Sequence, residues 1–265
     1  MRMSRYAALR GEPPGAWPEW VAAGTRRRLD ALNRLVCCAV DGVLRGQPAL
    51  SGETAVVVAN SYGSVDATLR FIGSISAFGD HAASPTAFTT SVHNSSAGVL
   101  GELLQLHGPS TTLSQGGTGG LSVLRWAQMM LTAGRAPAVL AVVGDRHVAW
   151  SREIVTRLSD CPWPIGDGAA AMLLEEGPGS GREVRLGTHP AGRCLDGGAL
   201  LASDERVLAE RACGQERIRA PDQLGAWWPN CLLSVLPFDQ PAAVQLREIE
   251  DGHLMEAWLG PLGPA

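Results

Sequence analysis

The sequence predicts an α/β layered fold in which helices cover the faces of a substantially parallel sheet. Three apolar runs, at 54–64, 136–145 and 167–176, are too continuous for half-exposed strands and indicate strands that are buried on both faces. Segments whose apolar residues recur at helical spacing separate these runs along the chain. This alternation of buried strands and helices is the pattern on which the fold prediction depends.

The first helix is predicted from about Thr25, whose hydroxyl can cap it, to a stop at Gly46 and Pro48. Its apolar residues recur every three or four positions: Leu29, Leu32, Val36, Val40 and Val43. After the strand at 54–64, a glycine turn leads into a second helical segment that begins at Val65.

A short β-branched strand at 110–114 precedes a glycine-rich turn and a helix over about 119–133. That helix is apolar on most sides, as expected for a helix held within the core. A further strand is predicted at 182–190. From about 191 the pattern weakens into a charged segment followed by a proline-broken tail, and no linker separates two independent domains.

Composition restricts the class of protein. The 265 residues are 45% hydrophobic, which is ample for a buried core, and the sequence, with a net charge of −4, has no long run of like charges. We therefore expect neither nucleic acid nor an anionic membrane surface as a partner. No stretch of about 18 apolar residues predicts membrane insertion, and we expect a cytoplasmic protein.

The six cysteines do not pair as CxxC or combine with histidines at zinc spacing, so we expect free thiols and no metal site. The glycine-rich segment at 177–184 lies between two predicted strands, with no helix amino terminus that could hold phosphate. The sequence predicts no cofactor.

Four separate pieces of the chain occur in an informative order. They are "VVVANSYGS", "SPTAFTTSVHNSSAGVLGELLQLHGPSTTLSQGGTGGL", "LAVVGD" and "IGDGAAAMLLEE". In sequence and spacing they resemble β-ketoacyl synthases over roughly residues 25–190. The resemblance implies the thiolase fold, of which this chain carries mainly the first half: a mostly parallel five-stranded sheet covered by helices. We expect a ketosynthase N-terminal-like domain at 1–190 and a reduced C-terminal extension at 191–265 packed on the same domain.

The resemblance also locates the nucleophile position. In ketosynthases a cysteine lies on the turn before the buried helix, where the helix dipole lowers the pKa of the thiol and backbone N–H groups hold an oxyanion. Counted from Gly108-Pro109, the matching residue is Gly117, which has no side chain. Ser114 and Gln115 are the nearby polar residues, and the two histidines of the ketosynthase second half have no counterpart in an HGT-type motif.

We therefore expect no catalytic residue at this turn. Within the family, the glutamine and glycines of "QGGTGGL" are most similar to chain-length factors, the non-condensing partners of ketosynthases in type II polyketide and aryl polyene systems. Gln115 is expected to fill the vacated site with its amide, and a role in decarboxylation of the extender unit is the alternative.

In dimers of this family the strand before the nucleophile turn pairs edge to edge with its partner. The resemblance places Thr111, Thr112, Leu113 and Gln115 at that interface, and a strand internal to a monomer is the alternative. It also places five residues at the mouth of an acyl pocket shared between partners: Phe88, Thr89, Val92, His93 and Asn94. For Phe88 and Val92 ordinary core packing is an equal alternative. His93 can instead be a structural histidine, and Asn94 a helix cap.

The sequence thus predicts a non-catalytic chain-length factor that pairs with an active β-ketoacyl synthase and shapes its acyl pocket. The expected partners are that synthase and acyl carrier protein, with a homodimer also possible. A divergent acyltransferase or decarboxylase acting on acyl thioesters, using Ser114, Gln115, a histidine or Cys161, is one alternative. A homodimeric binding protein for acyl chains or carrier protein is the other.

Overall fold

Three parallel strands form one edge of the sheet and position the candidate site. In the computed structural model, strand β2 (Ala55–Ala59) pairs in parallel with β3 (Ser110–Leu113) on one side and with β4 (Ala138–Asp145) on the other. Residues 1–114, 119–150, 152–153, 166–190, 208–211, 217–219, 244–250 and 253–262 are described.

The sheet continues from β4 into antiparallel strands. The remaining strands are β1 (Arg2–Arg10), β5 (Gly168–Glu175), β6 (Arg182–Pro190), β7 (Leu208–Arg211), β8 (Arg217–Arg219), β9 (Val244–Glu250) and β10 (His253–Leu262). Across the described residues the strand order is β3-β2-β4-β5-β1-β6-β10-β9-β7-β8. Because β5 is antiparallel to both β4 and β1, four of the first five strands run in one direction. This is the predicted mostly parallel five-stranded arrangement, and the sheet extends beyond it.

Helices cover both faces of these strands. They are α1 (Ala23–Arg26), α2 (Ala31–Leu44), α3 (Val65–Phe78), α4 (Pro85–Ser91), α5 (Ser95–Leu104) and α6 (Gly119–Thr132), with a 3-10 turn at Asp80–Ala82. Alternate residues of β2 face opposite layers: Val57 packs with α6, while Val56 and Val58 pack with α2 and α5. Burial on both faces explains why β2 and β4 are continuous apolar runs, as predicted.

The predicted start of the first long helix is wrong. Thr25 lies in the short α1, and α2 begins at Ala31, where the Asp30 carboxylate accepts a hydrogen bond from Asn33 N at 2.8 Å. An aspartate at this position accepts a hydrogen bond from an amide of the first turn that has no partner within the helix. Its negative charge also interacts favourably with the positive end of the helix dipole. Leu29 therefore precedes the helix whose apolar pattern it extends.

The β3 strand leaves one edge of the sheet open within the described residues. The carbonyls of Pro109 and Leu113 accept from the amides of Val56 on β2 and of Asn60 just after it, at 2.8 and 3.0 Å. Because successive residues of a strand direct their backbone groups to opposite sides, Thr112 directs its N–H and C=O away from β2, towards the open edge. Such an edge is a template for strand addition.

No helix in the described part of the chain is both long and apolar enough to cross a membrane.

Candidate functional site

Polar residues collect where the three parallel strands end. Ser61, just after β2, donates its amide to Asp145 Oδ1 at 2.7 Å and its hydroxyl to Oδ2 at 3.1 Å. Asp145 is the last residue of β4 and is buried. Since carboxyl ends of parallel strands meet at one edge, these two bonds join the ends of β2 and β4 at the edge where β3 also ends.

A second buried carboxylate, Asp167, holds the segment after β4. Its Oδ2 accepts from both Arg146 and Arg152, the latter at 2.8 Å, and its Oδ1 accepts from the backbone of His147 at 2.9 Å. Arg146 also pairs with the exposed Glu12 at 2.7 Å. Burial alone would lower the pKa of Arg146, but Glu12 and Asp167 outweigh it and raise that pKa, so the guanidinium stays charged.

His147 is buried at 2% exposure, and neither ring nitrogen has a hydrogen-bond partner among the described residues. Its ring meets Tyr62 edge to face, with centroids 5.8 Å apart. Burial lowers the pKa of His147 to about 4, and the neighbouring arginines add to this effect against the opposing charge of Asp167. The imidazole is therefore neutral at pH 7.

We expect His147 to make folding stability fall as the pH drops from about 6.5 to about 4. In that range the unfolded chain binds a proton at this residue and the folded chain does not, so acid favours unfolding by up to about 3 kcal/mol. His147→Leu should remove this part of the pH dependence and leave the stability at pH 7 nearly unchanged. Denaturant unfolding of both proteins at pH 7 and pH 4.5 measures the difference, and equal acid sensitivity of the two would contradict it.

Ser114, the first residue after β3, lies in a second network. Its hydroxyl donates to Ser61 O at 3.2 Å and stands 3.3 Å from His93 Nδ1. The same Nδ1 is 3.2 Å from Asn60 Oδ1, and Asn60 Nδ2 donates to His93 O at 3.1 Å. Besides Ser114, the polar side chains at the end of β3 therefore include His93, which adjoins Ser114, and Asn60, which adjoins His93.

This geometry does not activate Ser114 as a nucleophile. A general base must take the proton of the attacking hydroxyl, but the Ser114 proton points to a backbone carbonyl. The facing nitrogen of His93 is also committed to Asn60 Oδ1, which can only accept. The network fixes the end of β3.

The other predicted site residues fall into three places. Gly117 and Gln115 lie in 115–118, outside the described residues. Thr111, Thr112 and Leu113 are half-buried on the open-edged strand β3. Thr89, His93 and Asn94 are exposed; Asn94 precedes α5 without making a side-chain cap, and His93 bonds Asn60 rather than its own helix start.

Helices α3 and α4 expose several apolar side chains near one another in the chain. Of these, the sequence singles out only Phe88 and Val92, as pocket or core residues. Phe88 is 52% exposed, and its ring lies 5.3 Å from that of Phe71 on α3. Val92 is also exposed, so neither it nor Phe88 belongs to the buried core of this chain. We call the exposed apolar set the α3–α4 face; its members are Leu69, Ile72, Phe78, Phe88 and Val92. Only Ala67 is buried on α3, an unusual result for so apolar a helix.

Solved structures define the class to which this fold belongs. The chain is similar to the ishigamide ketosynthase/chain length factor, with 15% identity, a TM-score of 0.66 and 99% of each chain covered. It is also similar to a ketosynthase (ApeO) in complex with its chain length factor (ApeC) from Xenorhabdus doucetiae, with 18% identity, a TM-score of 0.58, and 97% of this chain and 99% of that chain covered. At these identities the likeness establishes the thiolase-like ketosynthase fold.

A third similar structure is a type II polyketide synthase acyl-carrier protein with its hexaketide-bound ketosynthase, AntDE:AntF, with 13% identity, a TM-score of 0.74, and 98% and 99% of the two chains covered. The family model "Beta-ketoacyl synthase, N-terminal domain" matches residues 3–194. The chain therefore belongs to the β-ketoacyl synthase N-terminal domain family. No curated protein matches the sequence.

Proposed function

We propose that this chain is a chain-length factor: a non-catalytic ketosynthase-like subunit that pairs with an active β-ketoacyl synthase and shapes its acyl pocket. The observation that carries the proposal is the open edge of β3, which follows in the chain the apolar α3–α4 face and the exposed segment at 92–94. An unpaired strand edge together with exposed Phe and Ile side chains is a surface that another subunit would cover.

The sequence supplies the second support. By its resemblance Gly117 matches the position where the family carries its nucleophile, and among the described residues the Ser114 hydroxyl donates to the Ser61 carbonyl rather than to a base. We propose that the chain contributes instead to the shape of the acyl pocket. A side chain that excludes one CH₂ of an acyl chain from an apolar pocket removes about 0.8 kcal/mol of favourable binding free energy. Phe88 and Val92 are large enough to act in this way without any catalytic group.

The biosynthetic setting follows from the kinds of protein that the fold resembles. We place the chain in polyketide or aryl polyene biosynthesis, with fatty acid biosynthesis as the wider class. The domain division at residue 190 belongs to the same proposal.

Reconstitution tests the proposal. The chain is purified alone and together with an intact ketosynthase as the candidate partner, and malonyl and acyl carrier-protein thioesters are added to each sample. Condensation is expected only with the ketosynthase present, and the products should differ in length from those of the ketosynthase alone. Condensation by the isolated chain would refute the non-catalytic role, and so would an acyl adduct on it in intact-mass spectra.

A basic cluster supports an acidic carrier protein as the further partner. Arg27 and Arg28 line a cavity of about 470 Å³ with Arg70, which pairs with Asp66 at 3.0 Å. Asp30 also lines the cavity, and burial raises its pKa. Arg27 and Arg28 form no ion pair with any described residue, so both are available for an anionic surface.

We expect Arg27→Glu combined with Arg28→Glu to weaken carrier-protein binding to the complex by at least about tenfold, because two attractive charges become repulsive. Arg45→Glu is the control: Arg45 is an exposed arginine at the C-terminal end of α2, and its i,i+4 pair with Asp41 contributes little to stability. Surface plasmon resonance at two salt concentrations measures both. Equal effects of the control and the double variant would contradict the assignment of the cluster.

A further inference from the structure

His93 is exposed, yet its ring is held on three sides. Asn60 brackets it through Nδ2 to the backbone carbonyl and Oδ1 to Nδ1, and the Ser114 hydroxyl meets the same nitrogen. Gly63, at φ +65°, lies against the ring so closely that a Cβ there would be 3.0 Å from Nδ1. An exposed side chain fixed in this way loses little conformational entropy when it binds something.

The contacts of Asn60 decide which ring nitrogen carries the proton. A carbonyl only accepts, so the group facing His93 O is the amide NH₂ and the group facing Nδ1 is the amide oxygen. An oxygen that only accepts requires a proton on Nδ1. The Ser114 hydroxyl is compatible, because its own proton goes to Ser61 O and its lone pair faces the ring. In the neutral imidazole this tautomer leaves Nε2 without a proton, as a hydrogen-bond acceptor.

Nε2 makes no hydrogen bond to any described residue. His93 lines a groove of about 580 Å³ between α5 and the open edge of β3, together with Asn94, Ala97, Gly98, Ser110–Thr112 and Ser114. No carboxylate, lysine or arginine lines this groove in the described part of the chain. A chain that added to the open edge of β3 would pass along it.

We propose that His93 Nε2 accepts a hydrogen bond from a neutral donor, a hydroxyl or amide, which the ketosynthase partner carries into this groove. The proposal rests on the chain-length-factor function proposed above. Against the neutral imidazole a carboxylate is disfavoured because it would face a lone pair, and an arginine or lysine because it would lose hydration without a counter-charge. His93 is thereby a specificity-determining residue of the interface, and Asn60 is the residue that positions it.

Three substitutions separate this role from a structural one. In His93→Asn the amide stands where Nδ1 was and does not reach the position of Nε2. In His93→Gln an acceptor lies near the position of Nε2, but the hydrogen bond to Asn60 is lost. In His93→Phe the ring remains and both nitrogens are removed. Stability of the isolated chain should therefore be highest for His93→Asn. Affinity for the ketosynthase should be highest for His93→Gln.

The experiment measures thermal unfolding of each isolated chain and its Kd for the intact ketosynthase by calorimetry. His93→Gln is expected to bind within about threefold of the original protein, and His93→Asn and His93→Phe about tenfold more weakly or worse. Affinities that follow the order of stability would overturn the proposal and leave the proposed function intact. If the unmodified chain binds no ketosynthase, both fail.

Discussion

Thr112→Pro is expected to leave the chain folded and to weaken its association with an active ketosynthase by at least about 100-fold. Thr112 directs its N–H away from β2, so proline removes no hydrogen bond from the existing sheet. It removes a donor from the open edge, and its ring obstructs any strand that would pair there.

Thr112→Ala is the matched control, because it shortens the side chain and keeps the outward N–H. It should bind nearly as well as the original protein. Size-exclusion chromatography and calorimetry with the ketosynthase measure association, and circular dichroism of the isolated variants checks folding. A folded proline variant that binds normally would mean that the β3 edge is not the contact surface.

Asp167→Asn is expected to lower the free energy of unfolding by about 3 kcal/mol. Asp167 is buried and is the carboxylate to which both Arg146 and Arg152 donate. The substitution removes its charge and can turn an NH₂ group towards the two guanidiniums. Because both arginines are partly in contact with solvent, the expected loss lies at the low end of the range for breaking a buried ion pair.

Glu12→Gln tests the same cluster from its exposed side. Glu12 pairs with Arg146 but is 73% exposed, and such pairs contribute about 0–1 kcal/mol. Urea denaturation of both variants at pH 7 gives the comparison. If Asp167→Asn costs no more than Glu12→Gln, Asp167 does not hold the end of β4 in place.

The strands that the sequence predicts well are those buried on both faces. Between the α2 and α6 layers, β4 has no residue facing water, so its apolar run is unbroken and easy to recognise. The N-terminal strand β1 is different: it is mostly half-buried and mixes arginines with alanines. Its partners lie far along the chain, and local pattern carries no information about such pairings.

For the candidate site, the sequence predicts residues but not their contacts. That Gly117 stands where the family carries its nucleophile stays a prediction, because Gly117 lies outside the described residues. The contacts of Ser114 with Ser61 and His93 join residues 53 and 21 positions apart, and they depend on side-chain directions that no local pattern encodes. One available signal was the polar residue at the end of each apolar run, Asn60 after β2 and Asp145 at the end of β4, since strand ends at one edge of a sheet meet.

The position of β1 has a consequence for how the chain acquires its fold. Arg2 is opposite Glu175 in the sheet, and the amide of Val184 donates to the carbonyl of Met1 at 2.8 Å. During synthesis the first strand must therefore wait until residues beyond 180 have emerged before both of its neighbours exist. We expect β1 of the nascent chain to need protection from premature pairing, and its final docking between β5 and β6 to be a late and slow step.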